Sequence, residues 1–258
     1  MNKDLETRLS KVPEVALAFW VIKIAATTLG ETAGDALSMT LHLGYAISTG
    51  IFLAFFLIAA GAQVAVKKFY PFLYWAVIVA TTTAGTTMAD YADRSLGIGY
   101  IGGSIILFVL MMAVLGLWRF STGSVSVTNI TSPKVEIFYW LTILTSNTLG
   151  TALGDYLAGS SGLGYEGSAL VFAGAIALVA VVYFTTKVSH TLLFWAAFIL
   201  TRPLGATIGD LLTKAHAKGG LNLSRFSSSA VIAVFMIACI LFTSQKAGKH
   251  PGEGKAKI

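Results

Sequence analysis

Four segments decide the fold of this chain: FWVIKIAATTLGETAGD (19–35), YWAVIVATTTAGTTMAD (74–90), YWLTILTSNTLGTALGD (139–155) and FWAAFILTRPLGATIGD (194–210). Each opens on an aromatic residue and a tryptophan, has a glycine ten residues after the tryptophan, and closes on an aspartate five further on. The tryptophans are Trp20, Trp75, Trp140 and Trp195, and the glycines are Gly30, Gly85, Gly150 and Gly205. The aspartates are Asp35, Asp90, Asp155 and Asp210. Four matches at one spacing mark an internal repeat, the signal that most constrains architecture. Asp35 and Asp90 stand 55 residues apart, as do Asp155 and Asp210, whereas 65 separate Asp90 from Asp155. The units therefore pair into halves.

Composition says what surrounds the repeats. Of 258 residues, 55% are hydrophobic and 12% charged, with mean hydropathy +0.76, where a soluble protein carries about a quarter charged residues. Charge-poor stretches of roughly the 20 residues that cross a bilayer are predicted at 14–37, 45–66, 71–92, 100–120, 136–157, 165–186, 190–213 and 226–244. Each unit holds two spans, so all four copies share one orientation and relate by an axis along the membrane normal. The expected fold is an all-α polytopic membrane protein of eight transmembrane helices. Residues 1–120 form the first half, 121–134 a cytoplasmic linker, 135–244 the second half and 245–258 a basic tail. The N-terminus, MNKDLETRLSKVPE, is charged and runs into a full-length span without a small-residue cleavage site, so the first helix is expected to be retained.

With the N-terminus on one side, that side receives twelve Lys and Arg: Lys3, Arg8, Lys11, Lys67, Lys68, Arg119, Lys134, Lys187, Lys246, Lys249, Lys255 and Lys257. The other receives Arg94, Lys214, Lys218 and Arg225. That asymmetry in short loops places both termini in the cytoplasm and explains the net charge of +6 without nucleic acid. Cys239 is alone, so neither a disulfide within the chain nor a thiolate metal cage is expected. Asn129-Ile130-Thr131 fits a glycosylation acceptor but falls in a loop expected to be cytoplasmic. Two GxGxxG strings, Gly97-Gly99-Gly102 and Gly162-Gly164-Gly167, lack the βαβ context of a dinucleotide site and read as tight turns between spans.

The Trp–Gly–Asp repeat resembles bacterial membrane proteins built from four tandem copies of a two-helix unit, a family known as a repeat of unknown function. The resemblance covers nearly the whole chain. It implies an eight-helix fold in the bacterial inner membrane and supplies no activity.

Helical spacing sorts the repeat into faces. One stripe runs Trp20, Lys23, Thr27, Glu31, Asp35, and its counterparts run Ile78-Thr82-Thr86-Asp90, Ile143-Asn147-Thr151-Asp155 and Phe198-Arg202-Ala206-Asp210. Beside it, small residues centred on Gly30, Gly85, Gly150 and Gly205 let membrane helices approach closely. The tryptophans read as interface anchors or core filler. Pro203 is expected to kink its helix. Carboxylates within spans mark function by default, since a buried charge costs about 3 kcal/mol or more. Asp35, Asp90, Asp155, Asp210 and Glu31 are candidate cation ligands. Thr27, Thr82 and Asn147 are candidate pathway residues, and Lys23 and Arg202 counter-charges, with Arg202 set against Asp210. These groups sum to an excess of three negative charges if all are ionised.

Hard oxygen donors suit Mg²⁺, Mn²⁺, Ca²⁺ or alkali ions. The leading expectation is a transporter for a hard cation, a divalent metal of the Mn²⁺ or Mg²⁺ type, with proton coupling and no covalent cofactor. The alternatives are a monovalent cation channel and a membrane protein with a regulatory or structural role. No nucleophile–base pair argues for an enzyme. The expected partners are the lipid bilayer and an inorganic cation, and assembly into a homo-oligomer is compatible with this reading.

Overall fold

The computed structural model describes residues 11–127, 130 and 132–247. Lys3, Arg8, Asn129, Thr131 and the tail beyond residue 247 lie outside them.

Eight long helices form: α1 Leu17–Asp35, α2 Gly44–Ala65, α3 Pro71–Asp90, α4 Gly99–Thr122, α5 Pro133–Ser160, α6 Gly164–Thr185, α7 His190–Thr213 and α8 Arg225–Phe242. Proline opens α3 and α5, where a missing N–H costs nothing. Serine caps α5, α7 and α8 by accepting from backbone N–H groups. Single π-helical turns, Ala36–Thr40 and Tyr91–Ser95, extend α1 and α3 directly after Asp35 and Asp90. Gly44, Gly99 and Gly164, one in each of the first three units, start α2, α4 and α6 with positive φ of 73°, 74° and 65°. With Gly97 and Gly162 also at positive φ, that backbone accounts for the first two glycines of each GxGxxG string, because glycine adopts it without strain.

The odd helices form a closed inner ring, α1 against α3, α3 against α5, α5 against α7 and α7 against α1. The even helices lie outside. Each packs chiefly on the inner helix of the following unit: α2 on α3, α4 on α5, α6 on α7, and α8 back on α1. Ser229 of α8 donates to Thr32 of α1 at 2.8 Å. Buried residues make up 72% of the apolar windows of α3 and α7 but at most 22% in the even helices, whose outer faces therefore suit lipid.

Six helices, α2, α3, α4, α6, α7 and α8, are long and apolar enough to cross a membrane. The other two are α1, with Lys23, Glu31 and Asp35, and α5, which starts at Pro133 and carries Lys134, Glu136 and Asp155. Both are inner-ring helices in which Lys23, Glu31, Asp35, Glu136 and Asp155 are buried in protein, while Lys134 at the start of α5 is exposed.

Each ring seam is cut to the same pattern. A methyl group added at Gly30 would lie 2.2 Å from Thr82 Oγ1, at Gly85 3.1 Å from Asn147 Cβ, at Gly150 2.6 Å from Arg202 Cβ, and at Gly205 2.1 Å from Thr27 Oγ1. The repeat glycine of each unit is thus the hole for the side chain three residues before the glycine of the next unit. Association of membrane helices rests on this packing, since lipid supplies no hydrophobic drive between them.

At one end the aromatic pairs close a belt. Phe19 packs on Trp75 at 5.5 Å, Tyr74 on Trp140 at 5.7 Å, Tyr139 on Trp195 at 6.3 Å and Phe194 on Trp20 at 5.8 Å. Trp75, Trp140 and Trp195 are buried in this belt rather than lying at the lipid surface. The connecting segments fold beneath it: Trp195 donates to the Val125 carbonyl, Trp75 donates to Gln245, and Val127 and Ile130 of the 121–134 segment are buried. Glu14 N–H donates to the Lys246 carbonyl at 3.0 Å, bringing the two ends of the described chain together.

Lys11, read from sequence as a loop charge, is buried. It pairs with Glu136 at 2.6 Å and donates to the carbonyls of Gln63, Val64 and Val66 at the C-terminal end of α2. A cation there complements the helix dipole.

Candidate functional site

At the opposite end from the aromatic belt, the four inner helices deliver Asp35, Asp90, Asp155 and Asp210 to one level, all buried. They form two pairs, each bridged by a cation. Lys214 Nζ lies 2.5 Å from Asp35 and 3.0 Å from Asp210. Arg94 lies 3.0 Å from Asp90 and 2.8 Å from Asp155. Each cation stands four residues after its own aspartate, one helical turn on, and reaches across the seam to the next unit. Arg225 adds a longer contact of 3.4 Å to Asp35.

Burial works against the charge of Lys214. The carboxylates of Asp210, Asp35 and Glu31 outweigh it and hold its pKa well above the ordinary lysine value. Lys214 is thus an ammonium at physiological pH.

One turn deeper, Arg202 reaches from α7 to every other unit. It donates to Glu31 at 2.9 Å, Thr86 at 2.5 Å, Thr151 at 2.7 Å and the Thr27 carbonyl at 3.3 Å, and it is fully buried. Arg202 therefore neutralises Glu31, and the partner of Asp210 is Lys214. The expected pairing of Arg202 with Asp210 is corrected. The excess of three negative charges is reduced with it, because Arg94, Lys214 and Arg225 join Arg202 in pairing with all five carboxylates, while Lys23 pairs with none of them.

Thr27, Thr82 and Asn147 sit in the ring seams. Thr27 donates to the Thr201 carbonyl at 3.1 Å, Thr82 to the Ala26 carbonyl at 3.2 Å, and Asn147 to Thr81 at 2.9 Å. Below Arg202, Ile78, Ile143 and Phe198 are fully buried, with Lys23 Nζ 4.2 Å from the Phe198 ring centre and without a hydrogen-bond partner among the described residues. This layer and the aromatic belt shut the axis on that side.

Above the aspartates the molecule is open. A vestibule of about 650 Å³ is lined by Arg94, Tyr100, Tyr165, Lys214, Lys218 and Arg225 among others. Tyr100 and Tyr165 come from the repeated Gly-Tyr pairs, and the third such tyrosine, Tyr45, accepts from Arg94 at 3.0 Å.

The two aspartate seams differ. Beside Asp35 and Asp210, Glu31 completes a buried group whose three carboxylates each place an oxygen within 4.8 Å of the others. Beside Asp90 and Asp155, the matching position is Thr151, and the bridging cation is arginine rather than lysine. Three oxygen ligands at such separations fit the donor set of a hard cation. The sequence did not single out Arg94, Lys214 and Arg225 as site residues. The signal for Arg94 and Lys214 was a basic residue four positions after Asp90 and Asp210, absent after Asp35 and Asp155, where Met39 and Gly159 stand; Arg225 had no such signal.

Fold and site define a membrane-type helical bundle with an internal four-fold repeat around buried carboxylates. The family model described as Repeat of Unknown Function (DUF347) matches residues 18–69, 73–124, 138–189 and 193–246, and the chain belongs to that family. No curated protein and no solved structure matches the chain.

Proposed function

We propose that the protein is a membrane carrier for a hard cation, of the divalent Mn²⁺ or Mg²⁺ type, bound by Glu31, Asp35 and Asp210. The carrying observation is the convergence of these three buried carboxylates below an open vestibule. In the state described, Lys214 fills the place of the cargo. Its ammonium, held on a flexible four-carbon stem, is a point charge that a metal ion can displace. Arg94, planar and doubly engaged, locks the other seam.

Charge balance supports this reading. With all five carboxylates paired by Arg94, Arg202, Lys214 and Arg225 the empty carrier holds little excess charge, and loading a divalent ion requires release of positive charge. Displacement of Lys214 with loss of its proton supplies part of that charge, which makes the proposed transport proton-linked. The axis closed by Ile78, Ile143 and Phe198 favours a carrier with alternating access over a continuously open monovalent channel. Orientation follows from the loop charges, with the aromatic end and both termini cytoplasmic in a bacterial inner membrane. The pairing of Arg94, Lys214 and Arg225 strengthens that assignment, because Lys218 is then the one outer-side loop cation with no ion-pair partner among the described residues.

A second reading, a purely structural charge network, is favoured by the ion pairing of all five carboxylates. Proteoliposome flux separates the two. Uptake should be measured for Mn²⁺, Mg²⁺, Ca²⁺, Na⁺ and K⁺ with and without a pH gradient. The carrier reading expects saturable divalent flux that responds to the gradient, and the structural reading expects none for any ion.

A further inference from the structure

The fourth unit departs from the repeat at one place. In three units the next helix begins at the Gly of a Gly-Tyr pair, nine residues after the aspartate, whereas the fourth uses KAHAKGGLNLSRF and enters α8 at Arg225. This longer connection is built. It makes a 3₁₀ turn at His216–Lys218, and Leu221, Asn222 and Leu223 donate to the carbonyls of Leu211, Lys214 and Leu212. Asn222 adopts a left-handed φ of 54°, and His216 Nδ1 lies 2.9 Å from the Gly220 carbonyl. Gly220 packs so closely on the Lys214 carbonyl that a methyl group there would overlap it. Ordering this backbone has a conformational cost, and the inner ring closes without it in the other three units.

Its effect is to set Lys218 and Arg225 on the rim of the vestibule, facing Arg94 and Lys214. Tyr100 and Tyr165 stand beside them, and no carboxylate lines the cavity. Lys218 is exposed and has no partner among the described residues, and Arg225 makes only long contacts, to Asp35 at 3.4 Å, to Thr40 Oγ1 at 3.3 Å and to Met39 Sδ at 3.5 Å. Ammonium, guanidinium and phenol donors converging on one space recognise oxyanions.

We propose that the vestibule is a binding site for a small oxyanion of the phosphate or carboxylate class, with Lys218 and Arg225 as its specific anchors. The site stands whether or not the carboxylates beneath carry a cation. Where they do, the reading of that site gains a consequence: an anion that draws Arg225 from Asp35 strengthens cation binding, and the coupling is reciprocal.

The test uses the purified full chain in neutral detergent without added divalent metal, so its result is independent of transport. Its unfolding midpoint is followed against inorganic phosphate, with chloride at matched ionic strength as control. The expected result is a saturable rise specific to phosphate, whose half-saturating concentration increases at least tenfold in Lys218→Gln and in Arg225→Gln and is unchanged in Lys68→Gln. Lys218→Gln removes an exposed, unpaired side chain and keeps the test valid if Arg225→Gln fails to fold. General salting by phosphate would stabilise wild type and Lys218→Gln alike, and that result overturns the proposal. A parallel series in phosphatidylcholine nanodiscs with and without phosphatidylglycerol assigns the source. A Lys218-dependent stabilisation by the anionic lipid identifies a lipid phosphate as occupant, and one seen only with free phosphate identifies a soluble anion. Absence of a Lys218-dependent response to either overturns the site.

Discussion

At the residue scale, a few side chains bear several contacts at once. Arg202 holds Glu31, Thr86 and Thr151 together on the axis. Arg202→Met leaves Glu31 as an unpaired buried charge and is expected to cost about 3–5 kcal/mol of stability. Adding Glu31→Gln should restore most of that loss, a strong non-additivity that unfolding of the single and double variants in detergent will read directly. The glycines make a second residue-scale prediction. Gly30→Ala and Gly205→Ala push a methyl group to within 2.2 Å and 2.1 Å of a threonine hydroxyl, and each should destabilise the chain by about 1–3 kcal/mol. Gly50→Ala, in α2 with open space around it, should be neutral or stabilising by up to ~1 kcal/mol in the same assay. The packing role of Gly30 was open to inspection in the sequence because its spacing recurs four times. The partner of Arg202 was not, because Asp210 and Glu31 both lie within reach of Arg202 on paper. Only the stagger of the helices decides between them.

At the element scale, the even helices carry the least expected feature. A two-helix repeat invites the picture of each outer helix packed on its own inner partner, yet each leans on the next unit, and α8 completes the ring on α1. Sequence pattern could place α2, α4, α6 and α8 outside, since they are apolar all round. That uniformity also means no polar stripe records which neighbour they touch. The Thr32–Ser229 contact tests the closure. In a Cys239→Ser background, Thr32→Cys with Ser229→Cys should form a disulfide under mild oxidation and shift the mobility of the chain, given hydroxyl oxygens 2.8 Å apart. A chain in which α8 stood away from α1 would not cross-link. The bridging cations belong to this scale too. Arg94 and Lys214 were counted in the sequence as loop charges because they follow the aspartates toward solvent, whereas one more helical turn carries them back over the carboxylates.

At the scale of the whole molecule, a ring with its ends hydrogen bonded between Glu14 and Lys246 can be opened elsewhere. A permutant starting at Pro71 and finishing at Val66, with a short linker between the old ends, leaves α2 on α3 in the arrangement that α8 has on α1. It should fold and unfold with a midpoint close to the parent, and loss of assembly would show that chain order, not the seams, holds the ring. The ring is symmetric in packing but asymmetric in chemistry: lysine bridges one aspartate seam and arginine the other, and the proposed function makes the lysine seam the one a cation opens. Divalent cation uptake into proteoliposomes at matched protein levels, compared between Asp35→Asn and Asp90→Asn, tests this most directly. We predict that Asp35→Asn lowers uptake by roughly tenfold or more, the loss of about 1.4 kcal/mol of ligand interaction, while Asp90→Asn retains most of it. Equal uptake in the two variants, or none in the wild type, would contradict the account.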